Sequence, residues 1–304
     1  MPEIGEEVLR ELRLDGRATV SALAARLGRS RAAVAQSLRS MTEDGGVRVI
    51  AAVDPAMLGQ HVLAHVSLRI DGAAAPITER LAAMPETVFV SAVSGDFGVV
   101  AEVRVGALPE LDLILARARA IPGVHSVSSV IYTEVVRGFF MPGPSEGGRR
   151  TPLDATDLSL IELLQVDGRA SYEALGRAVS LSPSAVGARV RRLREEGVVK
   201  VSVVEARGVS SRRLAMGLGV SCARSSDAVL AMLAEDDSCD FAARTIGRFD
   251  AIATLVARSP AALLAALDRV RAVEDVAEVT SWLHLEVKKE DYARAMRPAG
   301  GGSW

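Results

Sequence analysis

The sequence predicts an α+β fold written twice, and three observations predict it. Residues recur at a constant offset of 152. Asp15-Gly16-Arg17-Ala18 returns as Asp167-Gly168-Arg169-Ala170, Gly95 and Phe97 return as Gly247 and Phe249, and Arg119-Ala120 returns as Arg271-Ala272, with no gap needed between them. Each copy opens with short helical patterns, and each then changes to an alternation of strands and helices. An offset this long exceeds the few tens of residues of a solenoid repeat and means duplicated domains. The chain therefore reads as a two-part unit used twice, a fused pseudo-dimer.

The elements follow in order, most clearly in the second copy. Leu158, Ile161, Leu163 and Leu164 fall at helical spacing over 157–166, and Asp167-Gly168-Arg169 breaks the pattern. Ser171 is placed to cap a second helix through about Val179. After Ser180-Leu181, Ser182 caps a third helix and Pro183 suits its first position. Val186, Val190 and Leu193 form its inward stripe, Gly197 ends it, and 198–204 reads as a strand. Two helices joined by so short a turn are the helix-turn-helix signature, and the strand after them suggests a wing. The remainder of the first copy reads as strands at 62–70, 88–93, 99–105 and 124–136, with helices at 76–84 and 108–120. The second copy repeats this with strands at 214–222, 241–246, 251–257 and 276–287 and helices at 226–234 and 260–271. That order is the ferredoxin-like βαββαβ pattern. The expected domains are a winged helix-turn-helix at 1–53, a ferredoxin-like domain at 54–138, a linker at 139–153, a second winged helix-turn-helix at 154–205, a second ferredoxin-like domain at 206–292 and a flexible tail at 293–304.

Composition narrows the function classes. No apolar run approaches the ~20 residues of a membrane span, and Met1 to Arg10 carries three glutamates and no apolar stretch. Cys222 and Cys239 are the only cysteines and have no counterparts in the first copy, which suits a reducing cytoplasm. The pattern implies no metal and no cofactor. Formal net charge is −2, yet 26–39 and 177–194 are stretches with arginines and no acidic residue. Such local basic segments are a possible electrostatic footprint for nucleic acid, with a solvated helix face as the alternative. His61, His65, His125 and His284 are scattered, with no nucleophile or paired carboxylates beside them in a recognisable motif, so an enzyme is not expected.

These motifs together resemble the Lrp/AsnC (feast/famine) family of transcription regulators. The resemblance rests on Asp167-Gly168-Arg169-Ala170-Ser171-Tyr172, on Leu181-Ser182-Pro183-Ser184-Ala185-Val186 with Arg189 and Glu195-Glu196-Gly197-Val198, on Val53-Asp54-Pro55 with Leu58-Gly59, and on Gly247-Arg248-Phe249-Asp250. It covers nearly the whole chain, twice. It implies double-stranded DNA as a partner, a small-molecule effector such as an amino acid, and assembly into dimers or larger rings through the sheet domains. The copies differ: Arg189 is matched by Ser37, Ser182-Pro183-Ser184 by Ser30-Arg31-Ala32, and Asp250 by Gly98, while Glu205-Ala206-Arg207 departs from the first copy's connector.

On this reading the recognition helix lies in the major groove. Ser182, Ser184, Ala185, Arg189, Arg191 and Arg192 are the DNA-binding candidates in the second copy, with Arg189 reaching a guanine or phosphate and Arg191 and Arg192 meeting phosphates. Ser30, Arg31, Gln36 and Arg39 are those of the first, where Gln36 can read adenine. The effector candidates implied by the resemblance are Thr245, Gly247, Arg248, Phe249 and Asp250, with Gly95, Asp96 and Phe97 in the first copy; a tight strand-to-strand loop is the alternative. Two other functions remain open. One is a fused siroheme decarboxylase-like enzyme, whose tetrapyrrole pocket has only His125, Tyr132 and His284 as strand candidates. The other is a ligand sensor that has lost DNA binding.

Overall fold

The computed structural model describes residues 2–43, 47–138, 152–205 and 213–292. Residues 139–151 of the expected linker at 139–153, the tail at 293–304, Gly45, Ala206 and Arg207 lie outside the described residues. By contact the chain divides into two compact units, and each draws on both halves of the sequence. One comprises the described parts of Met1–Leu58 and Pro142–Ala206; the other comprises those of Gly59–Met141 and Arg207–Tyr292.

The first unit holds α1 (Pro2–Leu14), α2 (Val20–Leu27), α3 (Arg31–Glu43) and β1 (Val47–Val53), then a short 3-10 turn (Pro55–Leu58). Its second set is α6 (Ala155–Val166), α7 (Tyr172–Val179), α8 (Pro183–Glu195) and β6 (Val199–Glu205). The caps are those the local sequence calls for. Ser171 and Ser182 accept the amides of Ala174 and Ala185 through their Oγ atoms, at 3.1 and 3.2 Å. Ser180 takes the left-handed conformation (φ 56°) that lets the chain turn between α7 and α8. Leu12, Leu23, Val34, Leu160, Leu164, Leu175, Val186 and Leu193 meet the inner faces of β1 and β6 in one shared core.

The strand expected as a wing behaves differently. β6 packs against α8 of its own copy and α1 of the other, and it pairs antiparallel with β1, Val47 opposite Glu205 through Val53 opposite Val199. A single buried strand cannot leave its amides and carbonyls unpaired, and each strand supplies the other's partners. At the centre of the ladder Ile50 faces Ser202, residues at the same 152 offset.

The second unit corrects the expectation of separate ferredoxin-like domains. Its strands are β2 (Val62–Ile70), β3 (Thr87–Gly95), β4 (Val99–Val105), β5 (Val124–Arg137), β7 (Leu214–Cys222), β8 (Cys239–Ile246), β9 (Ala251–Ala257) and β10 (Val276–Glu290). All eight close into one barrel in the order β10-β3-β4-β2-β5-β8-β9-β7. Two four-stranded sheets would each expose two edges, and closure pairs all of them. The seams are β5 with β8 and β10 with β3, and they share a register: Tyr132 faces Thr245 as His284 faces Val93. The helices α4 (Ala75–Ala82), α5 (Leu108–Arg119), α9 (Asp227–Glu235) and α10 (Pro260–Arg271) cover the sheet with two apolar cores, one around Leu68, Ile77 and Leu81, the other around Leu218, Leu230 and Leu233. A third cluster of Phe89, Phe97, Phe249 and Trp282 lines the other face of the strands.

Candidate functional site

The repeated Asp-Gly-Arg-Ala motif shapes the first unit. In each copy the aspartate Oδ1 accepts the amide of the arginine two residues on, at 3.1 Å for Arg17 and 2.8 Å for Arg169. The glycines lie against the paired strands: a Cβ on Gly16 would stand 2.8 Å from the carbonyl oxygen of Val201 in the opposite copy, and one on Gly168 would stand 3.0 Å from the backbone of Ile50 in the opposite copy and 2.8 Å from Val201 Cγ1 of its own. The amide of Gly16 donates to Val201 O and that of Gly168 to Val49 O. The arginines then cross over. Arg17 donates to the carbonyls of Gly168 and Ala170 at 2.6 and 2.9 Å, and Arg169 donates to those of Gly16 and Ala18 at 2.7 and 3.0 Å. Six hydrogen bonds are thus exchanged between the two copies, and burial of Arg169 lowers its affinity for its proton.

This frame presents α3 and α8. On α8, Val186, Val190 and Leu193 are buried, and Gly187 lies against the Tyr172 ring, where a Cβ would stand 3.3 Å away. Arg189 donates to Asp154 at 2.6 Å and to Asp157 at 2.9 Å, and Arg192 donates to Asp157 as well. The two carboxylates also form a reciprocal cap at the start of α6. Hydrogen bonds donated to Asp154 and then to Asp157 raise the guanidinium of Arg189 above its ordinary range, and the Asp157 amide and Arg189 hold Asp154 below the usual carboxylate value. The Asp157 side chain is 1 % exposed, so these arginines answer a buried charge. Ser182, Ser184, Ala188 and Arg191 remain exposed, with Ala185 half-buried. On α3, Arg31, Ala32, Gln36 and Arg39 are exposed, and Ser30 caps by accepting the amide of Ala33 at 3.2 Å.

In the second unit the two predicted effector segments come together. Arg248 lies 3.9 Å from Asp96 and over the rings of Phe97 and Phe249, at 5.5 and 5.1 Å. Asp96 and Arg248 occupy the same position in the two copies, so opposite charges face each other where identical units would set like charges. Gly95 (φ 117°) and Gly247 (φ 138°) lie tightly against the seam strands: their Cβ positions fall 2.8 Å from Ser281 O and 2.9 Å from Val130 Cγ1. Thr245 Oγ1 donates to Phe249 O at 2.6 Å, and Asp250 Oδ2 accepts the amide of Cys222 at 2.7 Å. Burial, and then Asp250, raise the Cys222 thiol. Gly98 stands where the second copy has Asp250 because Ile70 fills that space, 2.3 Å from a Cβ placed there.

Some functional groups were not singled out from sequence. Asp157 reads as an ordinary helix-start residue, and only its arginine partners, more than thirty residues on, mark it. His65 is buried, bonds Ser67 at 3.0 Å and stacks near Trp282, and burial drives its pKa down to about 4. Its place in an alternating strand is the signal that could have found it. The three strand candidates for a tetrapyrrole have separate partners: His125 pairs with Asp71 at the surface, Tyr132 stacks on Phe241, and His284 bonds Ser91. Among the described residues no cluster of three or more His, Cys, Asp or Glu is arranged to hold a metal, and no helix is long and apolar enough to cross a membrane.

Two helix-turn-helix heads on a shared strand pair, with a separate barrel, define a class of nucleic-acid-binding protein carrying a second, ligand-type domain. Family comparison agrees. Residues 153–194 match the AsnC-type helix-turn-helix domain, residues 62–138 the Lrp/AsnC ligand binding domain, and residues 1–48 a winged helix-turn-helix DNA-binding domain. The HTH-type transcriptional regulator LrpA of Mycobacterium tuberculosis is 31% identical over 43% of this chain and 89% of its own length. The HTH-type transcriptional regulator FL11 of Pyrococcus horikoshii is 27% identical over 43% of this chain and 88% of its own. The chain belongs to the Lrp/AsnC family of transcriptional regulators. Over the whole chain, its fold is similar to that of the siroheme decarboxylase NirDL in complex with an iron-uroporphyrin III analogue, with a TM-score of 0.60, 15% identity, and coverage of 95% of this chain and 93% of the other.

Proposed function

We propose that this chain is a sequence-specific DNA-binding regulator in which two Lrp/AsnC units are fused in tandem, so that one chain does the work of a pair. The observation that carries this reading is the reciprocal clasp of Arg17 and Arg169, in which two arginines 152 apart make the same hydrogen bonds to equivalent carbonyls of the opposite copy. Contacts exchanged in this way are those of a two-fold interface. The exposed faces of α3 and α8 meet double-stranded DNA, which fits two half-sites spaced by about one helical turn or a multiple of it. An effector of amino-acid type binds at the loops holding Gly95, Asp96, Phe97, Arg248 and Asp250, where Asp96 and Arg248 offer both charges to a zwitterion. Further copies of the chain associate through the barrel units in the cytoplasm.

Selection of bound genomic fragments, followed by affinity across a salt series, tests this. Enrichment of a two-part site with affinity falling steeply as salt rises is the expected result. Absence of any enriched site removes the regulator reading. A second reading, a tetrapyrrole enzyme, is favoured by the whole-chain fold likeness to NirDL. An absorbance titration with an iron tetrapyrrole tests it: a saturable spectral shift at one equivalent supports it, and an unshifted spectrum rejects it.

A further inference from the structure

We propose that this chain recognises an asymmetric DNA site, two unlike half-sites in a fixed order, because its two recognition helices share a reading arginine but differ one turn before it. The inference rests on the DNA-reading function proposed above.

On α8 the inward and paired positions are accounted for. Val186, Val190 and Leu193 are buried, Gly187 carries the Tyr172 ring, and Arg189 and Arg192 are drawn to Asp157. Among the exposed positions, Ser184, Ala188 and Arg191 are spaced by four and three residues and therefore form one stripe. The same positions on α3 are Ala32, Gln36 and Arg39, all exposed. The third position is arginine in both stripes. The middle one is Ala188 in one head and Gln36 in the other.

Divergence elsewhere on these helices has another cause. Arg189 corresponds to Ser37, Arg192 to Ser40, Asp157 to Gly5 and Asp154 to Pro2. The four members of the ionic latch are replaced together, so the first head has dispensed with a brace rather than with a reader. Both stripes are intact.

Their chemistry differs most at the middle level; at the first, Ser184, whose hydroxyl bonds that of Ser182 at 3.0 Å, stands where α3 has Ala32. Arginine matches the O6 and N7 acceptors of guanine, and glutamine pairs in two-point fashion with N6 and N7 of adenine. Alanine offers only a methyl group, which suits the thymine methyl. The middle residue sits about 4.5 Å nearer the helix N-terminus than the arginine, enough to reach a neighbouring base pair. With the heads related by the dyad between Ile50 and Ser202, the site consists of inverted half-sites that agree at the arginine-read position and differ at its neighbour. Such a site orients the chain on DNA, as two identical units cannot.

The test is selection from randomised duplex DNA by the full chain, by Gln36→Ala and by Ala188→Gln, with affinities measured at one salt concentration. Both positions are exposed, so the fold is retained. The wild type is expected to select half-sites that differ at one position. Gln36→Ala should lose the adenine preference in one half only and bind the wild-type site about tenfold more weakly, and Ala188→Gln should make the halves alike. Identical half-sites selected by the wild type, or an unchanged site selected by Gln36→Ala, overturn the asymmetric reading and leave DNA recognition standing. If none of the three proteins enriches a motif, the DNA-reading function itself fails and takes this inference with it.

Discussion

Replacing Asp157 by alanine separates a bracing role of the α8 arginines from a reading role. The side chain of Asp157 is 1 % exposed and accepts Arg189, Arg192 and the amide of Asp154. Breaking a fully buried charge pair costs about 3–5 kcal/mol. Here the arginines are about a third exposed, at 32 % and 31 %, so they can turn to water and the loss is smaller. Loss of half of the reciprocal cap adds about 1 kcal/mol. The expected destabilisation of the helical unit is about 2–4 kcal/mol, a fall in melting temperature on the order of 10 °C. Amide hydrogen exchange in α6 and α8, together with thermal unfolding by circular dichroism, measures it. Arg189→Ala should cost less, because Arg192 still meets Asp157, and should leave the selected DNA sequence unchanged. The reasoning is refuted if Asp157→Ala costs less than about 0.5 kcal/mol, or if Arg189→Ala erases a base preference in one half-site.

Other outcomes follow from the same geometry. His65 is neutral in the folded barrel with a pKa near 4, against 6.5 when unfolded. The unfolded chain therefore takes up a proton that the folded one refuses, and barrel stability is full above pH 6.5 and falls as pH drops toward 4, by at most about 3 kcal/mol. Urea unfolding of the barrel at several pH values should show this slope, and His65→Gln should flatten it; an unaltered slope assigns the titration to another group. Gly247→Ala places a Cβ 2.9 Å from Val130 Cγ1 at a φ of 138° and should cost about 1–3 kcal/mol, read as a lower urea midpoint for the barrel. Arg17→Ala and Arg169→Ala each remove two hydrogen bonds to carbonyls of the other copy. They should destabilise the helical unit by similar amounts, about 1–3 kcal/mol, and a large difference between them would speak against an equivalent clasp. Asp250→Ala frees the amide of Cys222; calorimetry with candidate amino acids should show lost binding if the loop holds the effector.

Much of the molecule is legible residue by residue. Caps at Ser171 and Ser182, Pro183 at a helix start and the apolar stripe of Val186, Val190 and Leu193 are local features, and the helices form where those features lie. The strands of the barrel likewise fall within a few residues of their apolar alternations. The 152-residue offset is also visible in sequence, and it marks the Asp-Gly-Arg-Ala segments before their partners are known. Sequence by itself thus determined the elements and their order. Tertiary structure decided what each element joins. The same strand pattern satisfies two separate sheets or one closed barrel, and the pairing of open edges selects the barrel. The strand after α8 reads from sequence as a wing, and in the fold its backbone groups pair with β1 of the other copy. The surroundings of the arginines were decided in the same way. Arg189 and Arg191 are both basic and two residues apart, yet one faces a buried carboxylate from α6 and the other faces water. Charge acts through distance in space, and the distance from Arg189 to Asp157 exists only once α6 packs beside α8.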